Sequence, residues 1–306
     1  MEKLRNTFAK KMISMGKKDP NLVVLVGDIS HGILKPMLEE CPGRYYNIGI
    51  CEPTIVNMAA GLSKVGLNPV VHTIAPFIVD RSYEQIKLDF GYQSQNVNII
   101  TVGGAFDYSQ LGCSHHCYND VSLLGKIPNA KVFTPGSPLE FEQLFEKAYS
   151  TPGIKYYRLT EYPHLRNFES DTITPGKAIL AEEGKDITLV TFGARLKSAL
   201  EASSMLAKRK VNAEVLYYHT ITPFDEEAII KSVNKTGKVL FIEESGPYGG
   251  LKERCLSALT QQNVNFSWHQ IAITEFIRNY GEYEDLLAET ELDANGIINR
   301  IYKHLI

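Results

Sequence analysis

Short apolar runs alternate with helix-like stretches along almost the whole chain, and this alternation restricts the fold more than any other feature. Leu22 to Val26, Pro69 to Thr73, Val97 to Val102, Lys131 to Thr134 and Ile154 to Leu159 read as buried strands. Helical patterns fill most of the gaps between them, as at Ser137-Pro138, where a capping serine and a proline in the first turn lead into Leu139, Phe141, Leu144, Phe145 and Ala148. Strands buried on both faces belong to a parallel sheet covered by helices, so the expected class is α/β. A chain of 306 residues can bury two cores. The pattern lapses into Pro, Gly and charged residues at 163–186, which reads as a linker. The expectation is therefore two doubly wound, mostly parallel domains over 1–162 and 187–306. In the second, Ile187 to Val190, Ala213 to Tyr218 and Lys238 to Glu243 are the strand candidates. The stretch from Leu196 to Ala207, one opened by Thr222-Pro223-Phe224-Asp225, and Leu251 to Leu259 are the helix candidates.

Charge and cysteine content exclude several classes of function. A net charge of -3 with scattered Lys and Arg offers no basic surface for nucleic acid. No apolar run approaches the length of a membrane span and the opening residues lack a signal-peptide core, so a cytoplasmic protein without a membrane partner is expected. Cys41, Cys51, Cys113, Cys117 and Cys255 are odd in number and dispersed, a poor disulfide framework. Cys113-Ser114-His115-His116-Cys117 holds four zinc-ligand types, but within five adjacent residues and without a second knuckle, so it reads as a loop with ordinary thiols.

The stretch Tyr45 to Pro53 runs an apolar segment into a single carboxylate, Glu52, and a helix starts immediately afterwards. Pro53 suits the first helical position, and Ile55, Met58, Ala59 and Leu62 recur at helical spacing up to Gly66. Glu52 then sits at the carboxyl end of a strand, where open α/β sheets place their ligands. Taken alone, such a carboxylate also does no more than complement a helix dipole.

Five segments settle which of these it is expected to be. Gly27-Asp28-Ile29-Ser30, Gly49-Ile50-Cys51-Glu52-Pro53, Phe77 to Gln85, Gly112-Cys113-Ser114-His115-His116 and Ile127 to Val132 resemble, in order and spacing, the transketolase family of thiamine diphosphate enzymes. The resemblance covers the pyrimidine-binding and carboxy-terminal domains, nearly the whole chain. It implies that Glu52 hydrogen-bonds a ring nitrogen of the cofactor's aminopyrimidine and drives the tautomer change behind its acid-base chemistry. Phe77 is implied as the aromatic packed on the pyrimidine, with Tyr83 completing that wall, Arg81 in the same motif and Asp28 close to the cofactor. His115 matches the histidine that faces the reacting carbons. Arg5 and Arg158 match arginines that grip a substrate phosphate through a planar fork of donors.

Two positions depart from the family pattern. Gln110-Leu111-Gly112 replaces acidic-Asp-Gly, and Gly103 stands where a substrate-binding histidine is usual. Both changes remove readers of sugar hydroxyls. Poor activity with xylulose 5-phosphate is therefore expected, and better activity with a deoxygenated, bulkier or otherwise modified sugar from specialised sugar biosynthesis. The family's Gly-Asp-Gly plus Asn motif for metal and diphosphate is only mimicked by Gly27-Asp28-Ile29 with Asn57, without the second glycine. The resemblance thus implies the smaller subunit of a split enzyme. A partner chain is expected to hold the diphosphate and Mg2+ (or Ca2+), with two copies of each chain in an α2β2 heterotetramer and no metal ligand from this one. The rival readings are the beta chain of a thiamine-dependent 2-oxoacid dehydrogenase and a deoxyxylulose phosphate synthase-like enzyme. A non-catalytic Rossmann-like module is disfavoured by the lack of a Gly-x-Gly-x-x-Gly loop.

Overall fold

The strand Leu22–Val26 (β1) is buried along its full length. Val24 and Val26 point into one apolar core and Val23 and Leu25 into the other, as expected of a strand sandwiched between helical layers. The structure, a computed structural model, describes residues 3–306, so the first two residues of the expected first domain lie outside the described residues. Following β1 come Tyr45–Asn47 (β2), Asn68–Ile74 (β3), Val97–Val102 (β4), Lys131–Phe133 (β5) and Ile154–Arg158 (β6). Then follow Ile179–Glu182 (β7), Ile187–Phe192 (β8), Ala213–Tyr218 (β9), Thr220–Thr222 (β10), Lys238–Ile242 (β11) and Ser267–Ile271 (β12). They form two sheets with strand orders β10-β5-β6-β4-β3-β1-β2 and β12-β11-β8-β9-β7. Every pairing of these strands is parallel except the edge pairings of β10 with β5 and of β7 with β9. The two-sheet α/β architecture is the one that the strand and helix alternation implies.

Three details differ from the sequence reading. The expected linker 163–186 contains a strand, β7, because Ile179 and Ala181 alternate inward and cover the edge of the second sheet. The short β10 belongs to the first sheet although it follows β9 of the second: after Tyr218 the chain crosses back and pairs Thr220 with Phe133. The helix expected to open at Pro53 begins one residue earlier, with Glu52 itself in the first turn.

The two sheets share their cores. One apolar cluster joins Phe8, Val24 and Tyr157 to Leu189 and Tyr217, and the other joins Leu25, Ile55 and Tyr156 to Val190 and Phe241. Buried polar contacts fix the junction. Glu140, in the helix Pro138–Ala148, accepts from Tyr217 Oη at 2.7 Å and lies 2.6 Å from His164 Nε2. Arg195 donates to Glu244 at 2.8 Å and to Tyr283 Oη at 2.7 Å. The Glu140–Tyr217 contact ties a helix of the first sheet to β9 of the second, the Arg195 contacts lie within the second unit, and the carboxyl ends of β1, β2, β3 and β4 share one rim.

Candidate active site

That rim is shaped by backbone that few side chains tolerate. β1 runs out through Gly27 into Asp28 at φ 55°, and β2 runs through Asn47 into Gly49 at φ 84°. Asn47 ties the two ends together: its amide donates to Asp28 Oδ1 at 3.0 Å, and its oxygen accepts from the Asp28 and Gly49 N–H groups, each at 3.1 Å. Asp28 is exposed and is held in place by this clamp. Gly27 serves packing: a Cβ there would lie 2.9 Å from Thr73 Oγ1, so the glycine lets Thr73 approach Glu52.

Glu52 is buried, with 1 % of its surface exposed, at the start of the helix Glu52–Lys64. Its Oε1 lies 3.5 Å from Thr73 Oγ1 and its Oε2 accepts from Arg81 NH1 at 3.1 Å. Arg81 follows Phe77 by four residues in the helix Ala75–Gln85, one turn on, and its guanidinium lies 4.0 Å over the Phe77 ring. One arginine therefore holds both the carboxylate and the ring. The His115 and Phe77 rings meet at 5.0 Å, and Tyr108 meets His115 at 6.4 Å, both in T-shaped contact. Ser114 Oγ lies 3.0 Å from His115 Nδ1 and fixes the ring's rotation. Glu52, Arg81, Phe77, His115 and Tyr108 are thus one continuous chain of contacts.

The His115 loop leans on the second domain. Gly112, at φ 75°, leaves no room for a Cβ because the Tyr280 ring would be 2.4 Å away. Gln110 donates to Glu282 at 2.8 Å. Leu111 is 52 % exposed at this turn. Cys113 is exposed while Cys117 is buried, and among the described residues no cluster of three or more His, Cys, Asp or Glu is arranged to hold a metal.

The remaining expected site residues are distributed unevenly. Arg5, half-buried near the start of the helix Leu4–Gly16, places its Nε 3.4 Å from Glu161 Oε1. Beside it lies a buried relay. His72 Nδ1 donates to the Ile100 carbonyl at 2.9 Å, which leaves Nε2 to accept from Ser30 Oγ at 2.8 Å. Burial pushes the His72 pKa down to about 4, so this imidazole is neutral. Tyr83 is half-buried against the apolar cluster that includes Ile55 and Val79, and the ring that meets Phe77 is that of His115. Arg158, expected to face substrate, is 7 % exposed. Its Nε lies 3.5 Å from Asp120 Oδ2 and its NH2 donates to the Glu244 carbonyl at 2.8 Å, so the guanidinium bridges the two domains. Only NH1 has no partner among the described residues.

Sequence reasoning missed Asn47, Thr73, Tyr108 and Tyr280. Gly103 is the available signal for Tyr108, since a glycine just past a strand marks a place where backbone and a large side chain come close; its neighbour Gly104 leaves room for Arg158 instead.

A buried carboxylate, a half-covered aromatic face and an imidazole opposite suit a flat heterocycle: the carboxylate meets a ring nitrogen and the ring offers a stacking surface. The donor set therefore fits the aminopyrimidine of thiamine diphosphate. Comparison with known proteins agrees. Residues 2–161 match the model described as "Transketolase, pyrimidine binding domain", and residues 176–297 the one described as "Transketolase, C-terminal domain". An apulose-4-phosphate transketolase subunit from Actinobacillus succinogenes is 31 % identical over 97 % of each chain. A 6-deoxy-6-sulfo-D-fructose transketolase subunit from Clostridium sp. (strain MSTE9) is 30 % identical over 90 % of this chain and 88 % of that one. A solved structure described as a split gene transketolase, inactive beta4 tetramer, is similar with a TM-score of 0.88 and 29 % identity, covering 99 % of this chain and 98 % of the other.

Proposed function

Because this chain belongs to the transketolase family, as a subunit of a split thiamine diphosphate-dependent transferase, we propose that it carries the acid-base half of an active site completed by a partner chain. In this reading the partner holds the diphosphate and its Mg2+ or Ca2+, two copies of each chain assemble as α2β2 in the cytoplasm, and the substrates are modified sugars or sugar phosphates. The observation that carries it is the buried Glu52 beside the Arg81-covered Phe77 ring.

When bound, thiamine diphosphate supplies a carbanion-stabilising thiazolium. The chain's own residues do the rest. Glu52 would hold the pyrimidine nitrogen of the bound cofactor, and its burial would keep water from competing for that contact. Arg81 fixes the carboxylate and the Phe77 ring in one arrangement. His115, locked by Ser114, holds or returns a proton at the substrate oxygen facing it. Arg5 draws the anionic end of the sugar toward the Ser30–His72 side, and Asp28 lines the rim between. Arg158 is buried, its unpaired NH1 included, and in this reading it anchors the two domains beneath the site.

The test is reconstitution with the partner chain, cofactor and magnesium. The pair is expected to transfer a two-carbon ketol unit, this chain alone to show no turnover, and Glu52→Gln to cut turnover on the order of 10²–10⁴-fold without loss of assembly. Activity of the single chain, or near-normal turnover by Glu52→Gln in the pair, refutes the reading.

A further inference from the structure

Tyr108 stands between His115 and the backbone turn at Gly103. Its ring meets His115 at 6.4 Å in T-shaped contact and passes close to Gly103, where an added Cβ would lie 2.6 Å from Tyr108 Cε2. Its sequence neighbour Asp107 accepts from the Glu161 N–H at 3.0 Å, and Glu161 in turn lies 3.4 Å from Arg5 Nε, which puts Tyr108 on the Arg5 side of the site. The ring is half-buried, and the phenol oxygen is not among the buried polar atoms left unpaired, so it is open to a ligand or to solvent. A half-buried phenol on the same side of the site as a cation can donate to an anion that the cation holds.

We infer that Tyr108 is a specificity-determining residue: its O–H donates to the anionic group of the sugar held beside Arg5, while its ring shapes the pocket next to Gly103. This rests on the functional reading above and adds to it the residue that links the anionic end of the substrate to His115. Burial, with the net field of Arg5, Glu161 and Asp107, pushes the phenol up to about 12, so it remains protonated and able to donate at neutral pH. An oxygen-bound anion of the phosphate or sulfonate class satisfies both neighbours: Arg5 contributes charge and Tyr108 a directional donor.

The experiment uses the reconstituted pair with cofactor and magnesium. The donors are D-xylulose 5-phosphate, D-fructose 6-phosphate and 6-deoxy-6-sulfo-D-fructose, with D-xylulose and D-fructose as uncharged controls. Tyr108→Phe removes only the oxygen, and since that oxygen bonds nothing in the protein, the melting temperature is expected to stay within about 1 °C. With whichever charged donor is turned over best, KM should rise about 10- to 100-fold while kcat stays within about twofold, the pattern for a lost ground-state contact to a charged group. The uncharged controls should respond less than about twofold. Tyr108→Ala should in addition change the ranking among the charged donors by opening the space beside Gly103. An unchanged KM for every charged donor in Tyr108→Phe overturns the proposal while leaving the split-enzyme reading intact. A wild-type pair that turns over none of the donors overturns both.

Discussion

Gly103 is the point at which the rebuilt end of the site can be tested most sharply. It sits just beyond β4 at φ +77°, a conformation that costs an L-residue about 1–2 kcal/mol. A Cβ there would lie 2.6 and 2.7 Å from Tyr108 Cε2 and Cδ2 and 3.1 Å from Ile74 Cγ2, inside van der Waals contact on two sides. Overpacking of this kind costs about 1–3 kcal/mol. Gly103→Ala should therefore destabilise the chain by about 2–5 kcal/mol. Gly103→His cannot place an imidazole where the family pattern has one, because the Tyr108 ring already fills that volume.

The two contributions separate in a double-mutant cycle measured by urea unfolding. Tyr108→Ala removes the closer of the two clashes but neither the backbone strain nor the milder Ile74 contact, so Gly103→Ala in that background should cost about 1–3 kcal/mol, with the difference appearing as coupling. A Gly103→Ala cost below about 0.5 kcal/mol, or the same cost in both backgrounds, would refute the account of this position. With Tyr108 present, Gly103→His should not raise kcat/KM for xylulose 5-phosphate above wild type.

Arg158→Met should destabilise the chain by about 3–5 kcal/mol, because it leaves the fully buried Asp120 carboxylate without its cation. Adding Asp120→Asn should recover much of that loss, and thermal melts of both variants that match wild type would show the ion pair to be idle. His72 and His219 are each held at about 4 by burial, against 6.5 in the unfolded chain. The unfolded state therefore takes up their protons first as pH falls. Their stabilisation, about 3 kcal/mol apiece, is complete above pH 6.5 and is lost progressively toward pH 4. Denaturant midpoints recorded at about pH 7, 6 and 5 should fall steadily, with His219→Gln reducing the drop, and a flat profile would contradict this assignment.

How far the sequence discloses this molecule depends on what kind of information each feature carries. The buried parallel strands are legible because a strand covered on both faces must be apolar at nearly every position, as β1, β4 and β8 largely are, and such runs have few other uses. β7 is hidden in a stretch dominated by turn residues, since only Ile179 and Ala181 face inward and a four-residue edge strand gives little periodicity. β10 is hidden for a different reason. Its assignment to the first sheet depends on which edge is open in three dimensions, and the local pattern of Thr220–Thr222 says nothing of that.

The site divides along the same line. Glu52, Phe77 and His115 are legible because a strand-to-helix joint and spaced motifs are local, and the structure links them through Arg81 and ring contacts. Arg158 stands out in the sequence as a special arginine, but its surroundings do not. Asp120 and the Glu244 carbonyl approach from sequence separations of 38 and 86 residues, and they turn an expected substrate contact into a cross-domain anchor. Tyr108 is the converse case. Nothing in its own neighbourhood marks it, and only the glycine at 103 betrays that a ring must pass close to the backbone. A substitution that reads in sequence as the deletion of a substrate contact is, in the folded protein, the clearance for another side chain. The change at 103 should therefore be judged by what Tyr108 does, and the loss of a histidine there is the lesser part of it.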